Sequence, residues 1–166
     1  IQIDSISLGW FSDIRLKGLV LKDDKGQVLA QVAEVASVKR LYDLALNSND
    51  LGKFRVLDPQ ALVVLRADGS NWEDFLKLLP KSEPDPTPSS PTPIQFQLEV
   101  LRGQVLLDDQ IAGQRWQVSG INAEVDWPAA ANVARTGKFS AGIAPASQQP
   151  IAIAPGDVQA EFAWQP

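Results

Sequence analysis

From Ile94 to Val100 every second residue is apolar, with Ile94, Phe96, Leu98 and Val100 interleaved by Gln95, Gln97 and Glu99. The same alternation runs from Ile121 to Trp127, where Ile121, Ala123, Val125 and Trp127 interleave with Asn122, Glu124 and Asp126. A period of two places one set of side chains on one side of an extended strand, so each segment has one face to bury and one to wet. Near the start of the chain Ile14 and Leu16 alternate with Arg15 and Lys17, and the pattern resumes out of phase at Leu19 and Leu21. Gly18 stands at the change, which is the signature of a bulge.

Turn and cap signals divide the rest. Asp23-Asp24-Lys25-Gly26 predicts a hairpin turn before a strand over 28–39 rich in Val and Ala. Leu41 to Leu46 reads as a short helical turn. Strands over 54–56 and 61–67 flank Pro59, whose missing N–H predicts an edge or a bulge there. Ser70 and Glu73 form an S-x-x-E capping box opening a helix over 71–79, with Trp72, Phe75, Leu76 and Leu79 on one stripe and Pro80 ending it. That helix is expected to close one open end of a sheet. Beyond a bulge near Gly103 the alternation continues at Val105 and Leu107, Asp108-Asp109 predicts a turn, and 115–118 resumes the strand. Pro128 stops the strand that ends at Trp127, and further strands are expected over 138–144, around 151–154 and over 158–164.

Between these halves lies PKSEPDPTPSSPTP, residues 80–93, with six prolines in fourteen positions and no large apolar side chain. It reads as an extended, solvated linker. The expected organisation is a β module at 1–79 with short helices near 41–46 and 71–79, the linker at 80–93, and an antiparallel β module at 94–166 that continues the same sheet or repeats it. Successive strands joined by short turns imply a meander. The expected class is therefore mainly β, an antiparallel and strongly curved sheet forming an open groove or a sandwich-like roll, with one or two short capping helices.

Composition narrows the chemistry. The chain has no His, Cys or Met, so it lacks Ser-His-Asp and Cys-His nucleophile systems, thiolate chemistry and an ordinary zinc site. Its net charge of −5 has the wrong sign for a phosphate-neutralising surface, so no nucleic-acid partner is expected. The pairs Asp23-Asp24 and Asp108-Asp109 read as turn formers rather than a catalytic pair, because adjacent strand residues point to opposite faces. DDKG lacks the alternating oxygens of a calcium loop, and neither a P-loop nor G-x-G-x-x-G occurs. The expectation is no cofactor, no metal and no enzymatic activity. The long uncharged run from Phe139 to Gly156 is broken by Pro145, Pro150 and Pro155, so no spanning helix is expected. Of the five Trp, positions 72, 127 and 164 fall on apolar faces and read as core. Trp10 and Trp116 remain as exposed candidates for stacking on a sugar.

The order of these pieces resembles a family. Leu16 to Gly26 follows the pattern L-x-G-L-x-L-x-D-x-x-G, and Arg40 to Leu46, Val56 to Pro59 and Asp68 to Leu79 follow in the slots of the N-terminal module of AsmA-like and TamB-like proteins. In the second half Gly103, Val105 and Asp109 are similar to the family's G-x-V-x-x-x-D strand and turn. The resemblance covers residues 1–127. The chain departs from it in the interrupting linker and in lacking the membrane helix that precedes this segment in the family. It is read as part of a larger protein, anchored in the inner membrane upstream of residue 1.

The resemblance implies a periplasmic, envelope-located β body with a hydrophobic trough. Its partners would be phospholipid or acyl chains and other envelope or outer-membrane assembly proteins. Ile94, Phe96, Leu98, Val100, Ile121, Ala123, Val125 and Trp127 are the residues expected to line the apolar face; an ordinary dry core is the equally weighted alternative. A structural or docking module that uses exposed sheet edges is the second functional reading, and a sugar-binding sandwich using Trp10 or Trp116 the third.

Overall fold

The computed structural model describes residues 1–79, 93–130, 132–146 and 154–164. The strands are β1 (Ser5–Ser7), β2 (Ile14–Lys22), β3 (Val28–Ser37), β4 (Asp50–Leu57), β5 (Gln60–Arg66), β6 (Gly69–Ser70), β7 (Gln95–Asp109), β8 (Gln114–Trp127), β9 (Arg135–Pro145) and β10 (Gly156–Trp164). Two short helices, α1 (Leu41–Leu46) and α2 (Asn71–Leu78), accompany them. The ten strands form one sheet in the order β1-β2-β3-β4-β7-β8-β9-β10, with β5 beside β3 and β7 and β6 beside β5. The chain is mainly β, as the alternation implies. Residues 1–79 and 94–164 share the sheet, because β7 pairs with both β4 and β5. Residues 80–92 of the predicted linker and most of the strand expected around 151–154 lie outside the described residues.

The sheet is not a pure meander. β7 runs parallel to β4 and β5, whereas short turns join only antiparallel neighbours. Parallel pairing needs a crossover of a dozen or more residues, and the chain between β5 and β7, which includes α2, is long enough for one.

β4 and β5 behave as one strand kinked at Asp58-Pro59. Glu34 pairs with Leu57 and Gln31 with Gln60, while Leu57 pairs with Leu101 and Gln60 with Gln104, so the register on both neighbours is unbroken across the kink. Pro59 therefore sits in a central strand rather than at an edge. Its carbonyl still accepts from the Gln104 N–H at 2.8 Å, and the Asp58 N–H donates to the Leu101 carbonyl at 3.0 Å.

This kink belongs to a line across the sheet. Gly18 (φ 62°), Asp58 (φ 49°), Arg102 (φ 56°) and Gly120 (φ 61°) are all left-handed, and pairing places them side by side on β2, the β4–β5 kink, β7 and β8. On β7, Val100 and Gly103 face Ala123 and Ile121, so Arg102 is an extra residue; on β8, Ile121 and Val118 face Gly103 and Val105, so Gly120 is the matching extra one. Each extra residue reverses the alternation. Without them Val105, Leu107, Val118 and Trp116 would point to the charged side. The phase change at Gly18 and the bulge near Gly103 are parts of this one crease.

Asp58 and Arg102 are the non-glycine members. Both guanidinium nitrogens facing Asp58 donate to its carboxylate, at 2.7 and 2.8 Å, and the Arg102 N–H donates to Asn122 Oδ1 at 3.2 Å. The guanidinium holds the Asp58 carboxyl below its usual range. Because the left-handed backbone rather than the charge defines the position, Arg102→Gly is expected to leave the urea midpoint near the parent's, while the β-branched Arg102→Val lowers it clearly. Equal midpoints for the two variants would remove the crease from this account.

At the other end of β5 the sequence solves an edge problem. Only Ala61 and Gln60 of β5 reach β3, which leaves Leu62 and Val64 with backbone groups pointing away from β7. Asn71 closes them as a surrogate strand: its Oδ1 accepts from the Val64 N–H at 2.9 Å and its Nδ2 donates to the Leu62 carbonyl at 2.9 Å. The Trp72 indole N–H donates to the same carbonyl at 2.9 Å. The capping box forms as read, with Ser70 Oγ accepting from the Glu73 N–H and Glu73 accepting from the Ser70 N–H. Arg66 pairs with Asp74 and fixes the first turn of α2 to β5. The expected apolar stripe is only half used, because Trp72 and Phe75 are half-buried while Leu76 and Leu79 are exposed.

The predicted turn at Asp108-Asp109 is displaced, since β7 runs to Asp109 and the turn follows at 110–113. Asp109 does shape it, accepting from the Ile111 and Ala112 N–H groups at 3.0 Å, whereas Asp108 pairs with Arg115 across the strands.

Candidate functional site: an uncovered apolar sheet face

The registers assign every strand residue to one of two faces. Phe96 lies opposite Trp127, Leu98 opposite Val125, Val100 opposite Ala123 and Gly103 opposite Ile121. Seven of the eight residues singled out from the alternation therefore share one face of two neighbouring strands. Ile94 precedes β7 and is 47% exposed. The apolar face continues onto β4 through Phe54 and Val56 and onto β9 through Gly137 and Phe139. It reaches β10 at Ala160 and Phe162.

Among the described residues nothing seals this face. Among the described residues only Leu29, Val64 and Ala141 are buried apolar side chains, and the strand residues that line the apolar face on β7 and β8 are half-buried. A sandwich core would bury most of them. Among the described residues the strands make one sheet with one apolar side, whose side chains are half-buried rather than sealed from solvent.

Small and aromatic residues shape the surface. The Phe162 ring lies over Gly137, where a Cβ would stand 2.1 Å from its Cζ. Gly103 is buried, and a Cβ there would meet Ile121 at 3.0 Å and Pro59 at 3.3 Å, so it lets the crease close. At the far row Phe96 stacks on Trp127 with centroids 5.8 Å apart, and Trp127 meets Trp164 at 6.3 Å. Two Trp assignments are corrected. Trp116 is half-buried on the apolar face, because Gly120 shifts the phase of β8, and Trp164 is 53% exposed, because β10 has no strand beyond it among the described residues. Trp10 is exposed, as read.

The opposite face is charged. Glu99 of β7 accepts from Arg55 at 2.7 Å and pairs with Lys53 at 3.1 Å, Arg15 and Lys17 approach Glu34, and Lys138 faces Glu161 at 3.7 Å. Lys53, Glu99, Glu124, Lys138 and Glu161 border a shallow trough of about 600 Å³ on this side. Glu99 lies directly opposite Glu124, a like-charge pair that the neighbouring cations offset. Hydrogen bonding to Arg55 and then Lys53 holds the Glu99 carboxyl below its ordinary value near 4.5. A lowered folded-state pKa adds stability that is complete above the unfolded value and lost as pH falls through the folded one. The parent's urea midpoint is therefore expected to drop more steeply below about pH 4.5 than that of Glu99→Gln. Parallel pH profiles would show that the cluster contributes nothing.

Among the described residues no three His, Cys, Asp or Glu side chains are grouped to hold a metal ion, and no helix is long and apolar enough to cross a membrane. No protein-family model, no curated protein and no solved structure matches the chain.

Proposed function

We propose that this chain is a non-enzymatic module whose apolar sheet face carries phospholipid acyl chains, within an AsmA-like or TamB-like protein of the cell envelope. The observation that carries the reading is the continuous apolar face of the sheet, with no second layer over it among the described residues. A soluble chain rarely leaves so much apolar surface open without a ligand or partner to cover it. From Trp127 to Ile121 the face runs for about 20 Å at the usual strand rise, longer than the roughly 15 Å that acyl chains occupy in one leaflet. Each methylene withdrawn from water contributes about 0.8 kcal/mol, so transport needs a lining and no reacting group. The periplasmic location and the upstream anchor rest on the family resemblance.

The test uses the tryptophans of the face itself. Phospholipid brominated on its acyl chains is expected to quench Trp116, Trp127 and Trp164, and Trp10 much less, as resolved by single Trp→Phe variants. Quenching of Trp10 alone, or of none, would reject the reading.

A second reading has its own observation. Among the described residues β10 pairs on one side only, over nine residues without a proline or bulge, and such an edge accepts a further strand. Self-association that a proline at Gln159 abolishes would favour docking by strand addition; a monomer at all concentrations would count against it.

A further inference from the structure

The last row of the apolar face holds a cation. Arg135 opens β9 opposite Trp164, in the row that Phe96 and Trp127 complete. Its guanidinium carbon stands 3.9 Å from the Trp127 ring centroid and 4.5 Å from that of Trp164. The guanidinium lies against both indoles, whose centroids are 6.3 Å apart, and its N–H groups are the only charged donors in this row. No carboxylate pairs with Arg135 among the described residues, although the chain as a whole is acidic. The next rows, through Leu98 and Val125 and through Val100 and Ala123, are wholly apolar.

We infer that Arg135 is a headgroup anchor and that the ligand is an anionic, phosphate-headed amphiphile, its phosphate on Arg135 and its chain along the rows behind it. The inference rests on the proposed acyl-binding face and adds the head that the face selects. An open guanidinium at the rim of an apolar surface matches an amphiphile's order of charge and chain. A planar guanidinium fork resting on the indoles also binds a phosphate through two parallel hydrogen bonds, which a lysine would not reproduce.

Dodecyl phosphate and dodecyl maltoside, which share a chain, separate head from tail when each is titrated below its micelle-forming concentration with tryptophan fluorescence as the readout. The expected result is a preference of about ten-fold for the phosphate, lost in Arg135→Gln and partly restored in Arg135→Lys. Maltoside binding should stay constant throughout. Equal affinities in the parent, or a preference that survives Arg135→Gln, would overturn the anchor while leaving the apolar face in place. Inorganic phosphate producing the same response at the same concentrations would also overturn it, since the head would then bind without a chain. Failure of both amphiphiles to bind would overturn the acyl-binding reading and the anchor together.

Discussion

Asn71→Ala is expected to lower the unfolding free energy by about 2–4 kcal/mol, a large fraction of the stability of a domain this size. Asn71 is 6% exposed and its amide bonds two backbone groups of β5 that no strand reaches. Trp72 still serves the Leu62 carbonyl in the variant, so the cost falls mainly on the Val64 N–H, left unpaired at a residue that is 9% exposed. An orphaned buried donor costs about 1–3 kcal/mol beyond the ordinary value of the bond. Asn71→Asp keeps the acceptor for Val64 but turns a second oxygen on the Leu62 carbonyl, so it is expected to destabilise as well. Urea unfolding and amide exchange at Val64 measure both. A cost under about 0.5 kcal/mol for the alanine variant would mean that water closes this edge equally well.

Val125→Asp is expected to weaken acyl-chain binding by about thirty-fold, whereas Gln117→Asp on the charged face leaves it unchanged. Val125 lies in the middle of the apolar face, opposite Leu98 on one side and Gly137 on the other. A carboxylate there removes roughly three methylenes' worth of contact, about 2 kcal/mol, and must lose water whenever a chain covers it. Gln117 is exposed and lies on the same strand, in a row with Leu106 and Ala144 that faces the other way. The two variants introduce the same charge into the same strand, and only the face differs. Equal losses in both would point to a general effect of added negative charge rather than to the apolar surface.

What the sequence disclosed and what it concealed follow a common rule. The alternation along β7 and β8, the phase change at Gly18, the turn at Gly26 and the capping box of α2 are local, and each was legible. The parallel pairing of β7 with β4 and β5 is not local: residues 50–66 and 95–109 carry no mark of which neighbour they choose. Pro59 suggested an edge or a bulge because a central proline forfeits a ladder bond; it lies in a central strand, at a kink through which the register runs unbroken. Arg102 was hidden because glycine is the usual sign of a left-handed position, and here an arginine holds it through Asp58 and Asn122.

The candidate site divides in the same way. Seven of its eight residues meet on one face because period two and a hairpin pairing suffice to bring them together. Trp116 was misplaced because the phase shift at Gly120 looks like an ordinary serine-glycine step. Arg135 was missed because its place between Trp127 and Trp164 in the sheet depends on registers across three strands. An arginine at the start of a strand, in a chain whose aromatics lie at strand ends, is the trace that could have raised the question.

Native mass spectrometry of the protein expressed in a lipid-containing host reads whether the apolar face holds acyl chains. The expected result is a folded species carrying phospholipid mass that organic extraction removes, with a lower urea midpoint after extraction because a ligand bound only to the native state stabilises it. A lipid-free species whose midpoint is unchanged by added phospholipid would contradict it.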